Sequence, residues 1–378
     1  VPQGSFTLVR LPLGRSARKA EPLRAWDAAD EYLLRTLAER SLPTAGARLL
    51  IVNDSFGALA VALSRHHPQS LSDSWLCHAA TQHNLRANGL EVASVRLLDS
   101  LTVPQEALDL VLIKVPKTLA LLEDELIRLA PRLTAQSQVI VAGMVKGMPS
   151  SVWSLLERRC GPTTTALAVK KAKLIFVTPT MMAATAASPY PVCYQLEGTT
   201  YRLCNHANVF SRDSLDIGTR LFLQHLPHDL GEKEVIDLGC GNGVVGLLVA
   251  ARNPQARLHF VDESFMAVAS ARDNVQRNLG AAREARFHVG DALSDFAPAS
   301  ADLILCNPPF HQGSVVGDQI ARRMFQQSRQ VLRSGGELWV IGNRHLGYHQ
   351  TLKTIFGNCE QVAANPKFVI LRARARIG

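Results

Sequence analysis

The chain carries a series of short apolar runs, each ended by an acid, an amide or a glycine. In the second half these are Val235-Ile-Asp-Leu238, Arg257-Leu-His-Phe-Val261, Arg286-Phe-His-Val289 and Asp302-Leu-Ile-Leu-Cys306. Runs of this length without strict alternation predict strands buried on both faces of a mostly parallel sheet. Val244 to Ala251 is apolar for longer and reads as a helix entered from Gly239, Gly241 and Gly243. Upstream, Val192 to Cys204 breaks at Gly198 and predicts a hairpin that opens this half. Strands alternating with helices imply an α/β fold.

The first half repeats the pattern in degenerate form. Leu49-Leu-Ile-Val-Asn-Asp-Ser-Phe-Gly57 aligns with the Val235 to Gly243 segment, and Asp109-Leu-Val-Leu-Ile-Lys-Val-Pro-Lys117 with Asp302 to Phe310. Ser74, Asn84 and Asn88 match Ser264, Asn274 and Asn278 at one constant offset, and Asp99 matches Asp291. A duplication therefore predicts two domains of one fold: 1–180, a linker at 181–191 within the Pro-, Ala- and Thr-rich stretch from Thr178 to Pro191, and 192–378.

The glycine turn and the acids point to a ligand. Gly241-Asn-Gly-Val-Val-Gly246 matches the dinucleotide fingerprint G-x-G-x-x-G, whose helix N-terminus faces a pyrophosphate, so a nicotinamide dehydrogenase is one reading. Asp237, just before the turn, suits a cationic ligand better, such as an amino-acid ammonium. Asp262 follows the next strand at the distance where a carboxylate takes both ribose hydroxyls, and it also stands where a helix cap would. Asp291, after the third strand, can accept from an adenine amine. Asn307-Pro-Pro-Phe310 ends the fourth strand, where open α/β sheets bind ligands. Its prolines lack N–H donors, leaving the Asn307 side-chain oxygen and the Pro308 carbonyl as rigid acceptors for the two hydrogens of an exocyclic amine, with Pro309 fixing the frame. Phe310 offers a face on which a base can stack. His311 reads equally as a base or phosphate contact and as a plain loop histidine.

This pattern resembles the class I S-adenosylmethionine-dependent methyltransferases in their amine-methylating branch. His206 to Gly218, with Asn307-Pro-Pro-Phe-His311, looks like the bacterial ribosomal RNA guanine-N2 methyltransferases. Trp26 to Leu34, Asn53 to Leu59 and Ile113 to Leu119 are similar to the members acting on large-subunit, 23S RNA. The resemblance covers essentially the whole chain. It implies two tandem Rossmann-like domains, the first degenerate, with S-adenosyl-L-methionine as cofactor and no metal. Asp237, Gly239, Gly241, Asn242 and Gly243 would hold its methionine part, closed over by Asp216, Gly218 and Thr219. Asp262 would hold the ribose, and Asp291 with Ala292 the adenine. Asn307, Pro308, Pro309 and Phe310 would receive the guanine, Asn307 also lining the cofactor site.

The first half has lost this chemistry. Only Gly57 of the three glycines remains, Ser72 or Asp73 stands at the ribose position, and Lys114-Val-Pro-Lys117 replaces the Asn-Pro-Pro-Phe segment. A lysine repels a cationic methyl donor, so this half is expected to bind none. Net charge refines the division. The chain carries +9, of which residues 1–191 hold +6 (21 Lys+Arg against 15 Asp+Glu) and the rest +3 (20 against 17). The more basic half is expected to grip RNA. Candidate contacts are Arg15, Arg18, Lys19, Lys114, Lys117, Lys170, Lys171 and Lys173, although for each a solvated surface charge is the plainer reading. Arg372, Arg374 and Arg376 alternate on one strand face and read as backbone-tracking or as a soluble tail. Seven scattered cysteines with no C-x-x-C pair argue against zinc and for a reducing cytoplasm. No apolar run reaches transmembrane length and no signal-peptide pattern opens the sequence. A monomer is expected, since two fused similar domains remove one reason to dimerise. N6-adenine or protein-glutamine methylation, a 16S RNA substrate and a non-catalytic RNA-binding module remain the competing readings.

Overall fold

The computed structural model describes residues 1–11, 24–180, 187–309 and 315–376, excluding the side chains of 315–317. It divides into two compact units, Val1–Tyr190 and Pro191–Gly378. Six residues of the expected linker, 181–186, lie outside the described residues, as do Arg15, Arg18 and Lys19.

The N-terminal unit is built on a seven-stranded sheet. Its strands are β1 (Leu49–Val52), β2 (Gln69–Ser72), β3 (Arg96–Asp99), β4 (Leu108–Lys114), β5 (Leu133–Met144), β6 (Thr163–Thr165) and β7 (Ala172–Val177), in the order β3-β2-β1-β4-β5-β7-β6. The C-terminal unit opens with the hairpin β8 (Val192–Gln195) and β9 (Arg202–Asn205). Its own sheet contains β10 (Glu234–Leu238), β11 (Arg257–Asp262), β12 (Ala285–Val289), β13 (Ala301–Cys306), β14 (Leu332–Asn343), β15 (Glu360–Ala364) and β16 (Phe368–Arg374), in the order β12-β11-β10-β13-β14-β16-β15. The orders are identical, so the two domains share one Rossmann-like fold, as the repeat implied. In each, the first five strands pair in parallel, and one reversed strand, β7 or β16, makes the last two pairings antiparallel. Strand order reverses beside β1 and β10, opening a crevice at their C-terminal ends.

The repeated polar residues turn out to hold the fold together. Helix α3 (Trp75–Ala87) is capped by Ser74, and α8 (Phe265–Leu279) by Ser264. On α8, Asn274 accepts from the Cys204 amide at 2.7 Å and donates to the Asn242 carbonyl at 3.0 Å, while Asn278 exchanges two bonds with Arg202. On α3, Asn84 does the same with Val9 and Phe56, and Asn88 with Thr7. One turn apart, each pair clips a flanking segment, β9 in one domain and the Thr7–Val9 stretch in the other, onto its helix and, through the first asparagine, onto the glycine turn. Asp302 accepts from the Glu234 amide and Asp109 from the Arg48 amide, both at 2.8 Å, which explains why this acid also recurs.

Cys193 and Cys204, directly opposite in the β8–β9 hairpin, are joined by a disulfide, a pairing across two strands that is invisible in sequence spacing. Of the alternating arginines, Arg372 and Arg374 lie on β16 and Arg376 follows it. Arg372 pairs with Glu360 and Arg374 with Glu337, while Arg376 donates to the Gly357 carbonyl. Among the described residues no helix is long and apolar enough to cross a membrane.

Candidate functional site

In the C-terminal domain, β10 ends at Leu238 and the chain passes through Gly239–Gly243 into α7 (Val244–Arg252). Gly243 is left-handed (φ 78°), and a Cβ there would lie 2.7 Å from the Ala271 Cβ on α8, so this glycine serves helix packing. Gly239 is also left-handed, and a Cβ on it would lie 3.1 Å from the Asn307 carbonyl oxygen. At Gly241 nothing stands within 4 Å of where a Cβ would be, so its bare face opens outward. A Cβ on Gly246, the last glycine of the dinucleotide match, would strike the Phe260 ring at 2.3 Å; this position too is about packing.

Asp237 is buried, and its Oδ2 accepts from the Gly246 amide at 2.8 Å. Burial pushes its carboxyl up to about 8, against that hydrogen bond and with some help from Asp262. Asp262 accepts from the Gly241 amide at 2.9 Å through one oxygen and from Ser264 at 3.1 Å through the other, bracing the turn and opening α8. Asn242 accepts from the Val244 amide at 3.2 Å and donates to the Tyr194 hydroxyl at 3.4 Å. That contact ties the hairpin to the turn, a role for Tyr194 with no sequence signal.

The opposite wall comes from α6 (Ile217–Gln224) and the end of β13. Asp216 caps α6, accepting from the Thr219 amide at 2.8 Å. Gly218 packs where a Cβ would meet the Phe368 ring at 2.8 Å. The Asn307 amide nitrogen donates to Thr219 Oγ1 at 3.2 Å, which fixes the amide plane. Asn307 Oδ1 is then buried with no partner among the described residues. Pro308 is buried and Pro309 exposed. Asp291 forms an ion pair with Arg323 of α9 (Val315–Val331), a partner the sequence reading missed, and Ala292 beside it is left-handed (φ 50°). Phe310 and His311 lie outside the described residues.

The same place in the N-terminal domain is filled by the protein itself. Lys114 stands at the end of β4 as Asn307 stands after β13, and α1 (Ala28–Glu39), capped by Asp27, matches α6 capped by Asp216. Lys114 Nζ donates to Asp27 at 2.8 Å and to Asp30, the residue in Thr219's place. Burial opposes the lysine's charge, but Asp30 and Asp27 more than offset it and raise its pKa. Asn53 replaces Gly239 and keeps its left-handed backbone (φ 62°); its amide donates to the Lys114 carbonyl at 3.3 Å and to Glu125 at 2.9 Å. Ser72 stands in register with Asp262, and Asp73 is turned inward onto Ser100 Oγ at 2.6 Å. The buried acid is retained but moved: Asp54 accepts from the Ala60 amide at 2.8 Å as Asp237 does from Gly246, and burial carries it up to about 7.

Lys114 is therefore corrected as an RNA contact, since its side chain is 12 % exposed and its ammonium is spent on two carboxylates. Lys173 is half-buried, with its ammonium 4.8 Å from the centre of the Trp153 ring. Lys117, Lys170 and Lys171 are exposed.

Fold and strand-end arrangement together define a class I S-adenosylmethionine-dependent methyltransferase. Residues 1–181 match the model of the RLMG N-terminal domain, and residues 200–372 that of the methyltransferase small domain. Proteins named ribosomal RNA large subunit methyltransferase G are similar along the whole chain. The one from Stutzerimonas stutzeri is 54 % identical over 98 % of both chains, that from Pseudomonas aeruginosa PAO1 53 % over 98 % of both, and that from Streptomyces griseus 48 % over 99 % of this chain and 98 % of its own. The chain belongs to the ribosomal RNA large subunit methyltransferase G family. A 16S rRNA N2 methyltransferase from T. thermophilus, solved in complex with AdoMet and guanosine, shares the fold at a TM-score of 0.77 and 21 % identity, covering 100 % of this chain and 96 % of that one.

Proposed function

We propose that the C-terminal domain transfers a methyl group from S-adenosyl-L-methionine to the exocyclic N2 of a guanosine in 23S ribosomal RNA, giving N2-methylguanosine, while the N-terminal domain helps hold the RNA. The observation that carries this reading is the buried, unpartnered Asn307 Oδ1 held in place by Thr219. An acceptor left open in a buried setting is costly unless a ligand donor meets it.

The residues present fit the cofactor. Gly241 opens a bare face, Gly239 leaves the backbone uncovered beside Asn307, and Asp237 offers a buried carboxyl to an ammonium. Asp216, Gly218 and Thr219 close the methionine end, Gly239, Gly241, Asn242 and Gly243 cradle it, Asp262 takes the ribose, and Asp291 with Ala292 the adenine. Bound there, the cofactor supplies an electrophilic methyl group on a sulfonium.

The chain's own part is positioning. The guanine amine is a weak nucleophile because its lone pair is delocalised into the ring. Asn307 Oδ1 and the Pro308 carbonyl take its two hydrogens, which favours a pyramidal nitrogen and aims its lone pair. Pro309 stiffens the frame and Phe310 stacks on the base, at the cost of unstacking it from the RNA. No side chain must remove a proton beforehand, since the nitrogen becomes acidic only once alkylated. Holding the reactants in line supplies much of the rate. The protein works as a monomer in the cytoplasm, on free 23S RNA or an assembly intermediate.

The test incubates labelled S-adenosylmethionine with unmodified, protein-free 23S and 16S RNA, then with ribosomal particles, and identifies the methylated nucleoside. N2-methylguanosine in 23S RNA is expected. The same product in 16S RNA alone would reassign the substrate, and no transfer to RNA or particle would overturn the reading.

A further inference from the structure

Two loops meet at the C-terminal end of the N-terminal sheet. One follows β5, where Val145, Lys146 and Gly147 are all exposed. The other joins β6 to β7, and a 2.8 Å hydrogen bond from the Val145 amide to the Lys171 carbonyl links them. The β6–β7 connection closes on a two-residue turn, with Val169 and Ala172 exchanging bonds of 2.9 and 2.8 Å. Its central residues, Lys170 and Lys171, are both left-handed (φ 48° and 63°). A turn with two such residues ordinarily carries Asn-Gly or Asp-Gly, because a side chain with a Cβ resists this conformation. Two lysines there run against the local preference, and such outliers concentrate at functional sites.

The same edge exposes large aliphatic groups. Leu167 is 89 % exposed, Val145 46 % and Val169 39 %. The backbone at Leu167 is tied down, its carbonyl accepting from the Tyr32 hydroxyl at 3.0 Å. Lys170 lies 3.5 Å from Glu31, but with its side chain 64 % exposed that pair holds it weakly.

The C-terminal domain supplies an internal control. There the Arg344 amide donates to the Lys367 carbonyl at 3.0 Å, as Val145 does to Lys171. Its turn, however, is Asn365-Pro-Lys-Phe368, in which Asn365 Oδ1 accepts from Lys367 and Phe368 and neither central residue is left-handed. Ala363 stands in the place of Leu167 and Arg344 in that of Val145, and Leu346 in the matching loop is half-buried. The architecture is common to both domains, whereas the lysine pair and the exposed aliphatics are confined to the N-terminal one.

We infer that this edge, formed by Lys146, Lys170 and Lys171 around Val145, Leu167 and Val169, docks an RNA segment with unstacked bases. The lysines meet phosphates, while Leu167 and its neighbours cover a base or sugar face that a continuous duplex would hide. The inference rests on the RNA reading proposed above and narrows it to one edge of the domain.

The test uses the full chain with protein-free 23S RNA transcript, measuring affinity across a salt series. Lys170→Asn with Lys171→Gly installs the ordinary turn pair while deleting both charges. Thermal stability is expected to hold or rise, S-adenosylmethionine affinity to stay unchanged, and RNA affinity to fall about tenfold near physiological salt. The slope of log affinity against log salt should shrink by about 1.5. Leu167→Ser should weaken RNA binding by about fivefold with the slope unchanged, because it removes surface and not charge. RNA binding and salt slope equal to the parent in both variants would overturn the edge while leaving RNA binding intact. If the unsubstituted protein fails to prefer 23S transcript over heparin-like polyanion, the RNA reading falls and takes this inference with it.

Discussion

The two domains share one topology and differ in what stands at the strand ends. In the C-terminal domain Asn307 reaches Thr219 and leaves its Oδ1 open; in the N-terminal domain Lys114 spends its ammonium on Asp30 and Asp27, and the buried acceptor left open is Oε1 of Glu125, behind Asn53. Gly239 keeps one backbone bare, and Asn53 covers the other with a side chain that bonds Glu125. The glycine that survives in both, Gly57 and Gly243, is the one that helix packing demands: a Cβ would come within 2.7 Å of Thr81 or of Ala271. The comparison separates residues kept for the fold from residues kept for the ligand. An internal cation stands where a cationic cofactor would be held, so the N-terminal domain is expected to bind none.

The sharpest break in the comparison comes from exchanging its key residues. Asn307→Ala is expected to lower kcat by about a thousandfold while cofactor and RNA affinity stay within a few-fold, the signature of a group acting on the reacting amine. A fully active variant would remove Asn307 from the mechanism. Lys114→Ala strands two carboxylates, one of them buried, and should cost about 3–5 kcal/mol, read as a lowered Tm of the N-terminal domain. Adding Asp30→Thr to Lys114→Asn recreates the Asn307–Thr219 pair and should recover most of that loss. No recovery would show that the two positions are not equivalent.

Alanine at Gly57 and at Gly243 should destabilise both domains by about 2–4 kcal/mol, through a left-handed backbone and overlap with the neighbouring helix. Chemical denaturation followed by domain-specific probes checks it, and a loss confined to the C-terminal domain would contradict a purely structural role.

The smallest effect concerns pH. Asp54 and Asp237 titrate near 7 and 8 when folded, above the unfolded value near 4. Their contribution is thus complete in acid and is lost as pH rises through those values, at up to about 1.4 kcal/mol per pH unit and group. Asp54→Asn or Asp237→Asn should flatten the decline in Tm between pH 6 and 8. Only Asp237→Asn should also weaken cofactor binding, which in the parent tightens toward pH 8 as the carboxyl ionises.

Much of the active half was legible because its chemistry follows strands at regular spacing. Asp237, Gly239, Asp262 and Asn307 each sit at a strand end, and one parallel sheet gathers such ends along one edge. The degenerate half was legible as a repeat but not as a network. Lys114 meets acids more than eighty residues away in sequence, so its burial follows only from how α1 folds back over the sheet, against β5 and β7. The shift of the buried acid from the strand in one domain to the loop in the other was hidden for the same reason: Asp54 and Asp237 converge on one amide from different positions. The arginines of β16 had the right period, but their partners Glu337 and Glu360 lie on neighbouring strands.

The central claim, that one domain binds the cofactor and the other has replaced it with a lysine, is tested most directly by counting. Equilibrium dialysis with labelled S-adenosylmethionine should give one equivalent per chain for the parent and for Lys114→Ala, and none for Gly239→Asn, which installs the residue found in the N-terminal domain. Two equivalents for the parent, or one persisting in Gly239→Asn, would contradict the account.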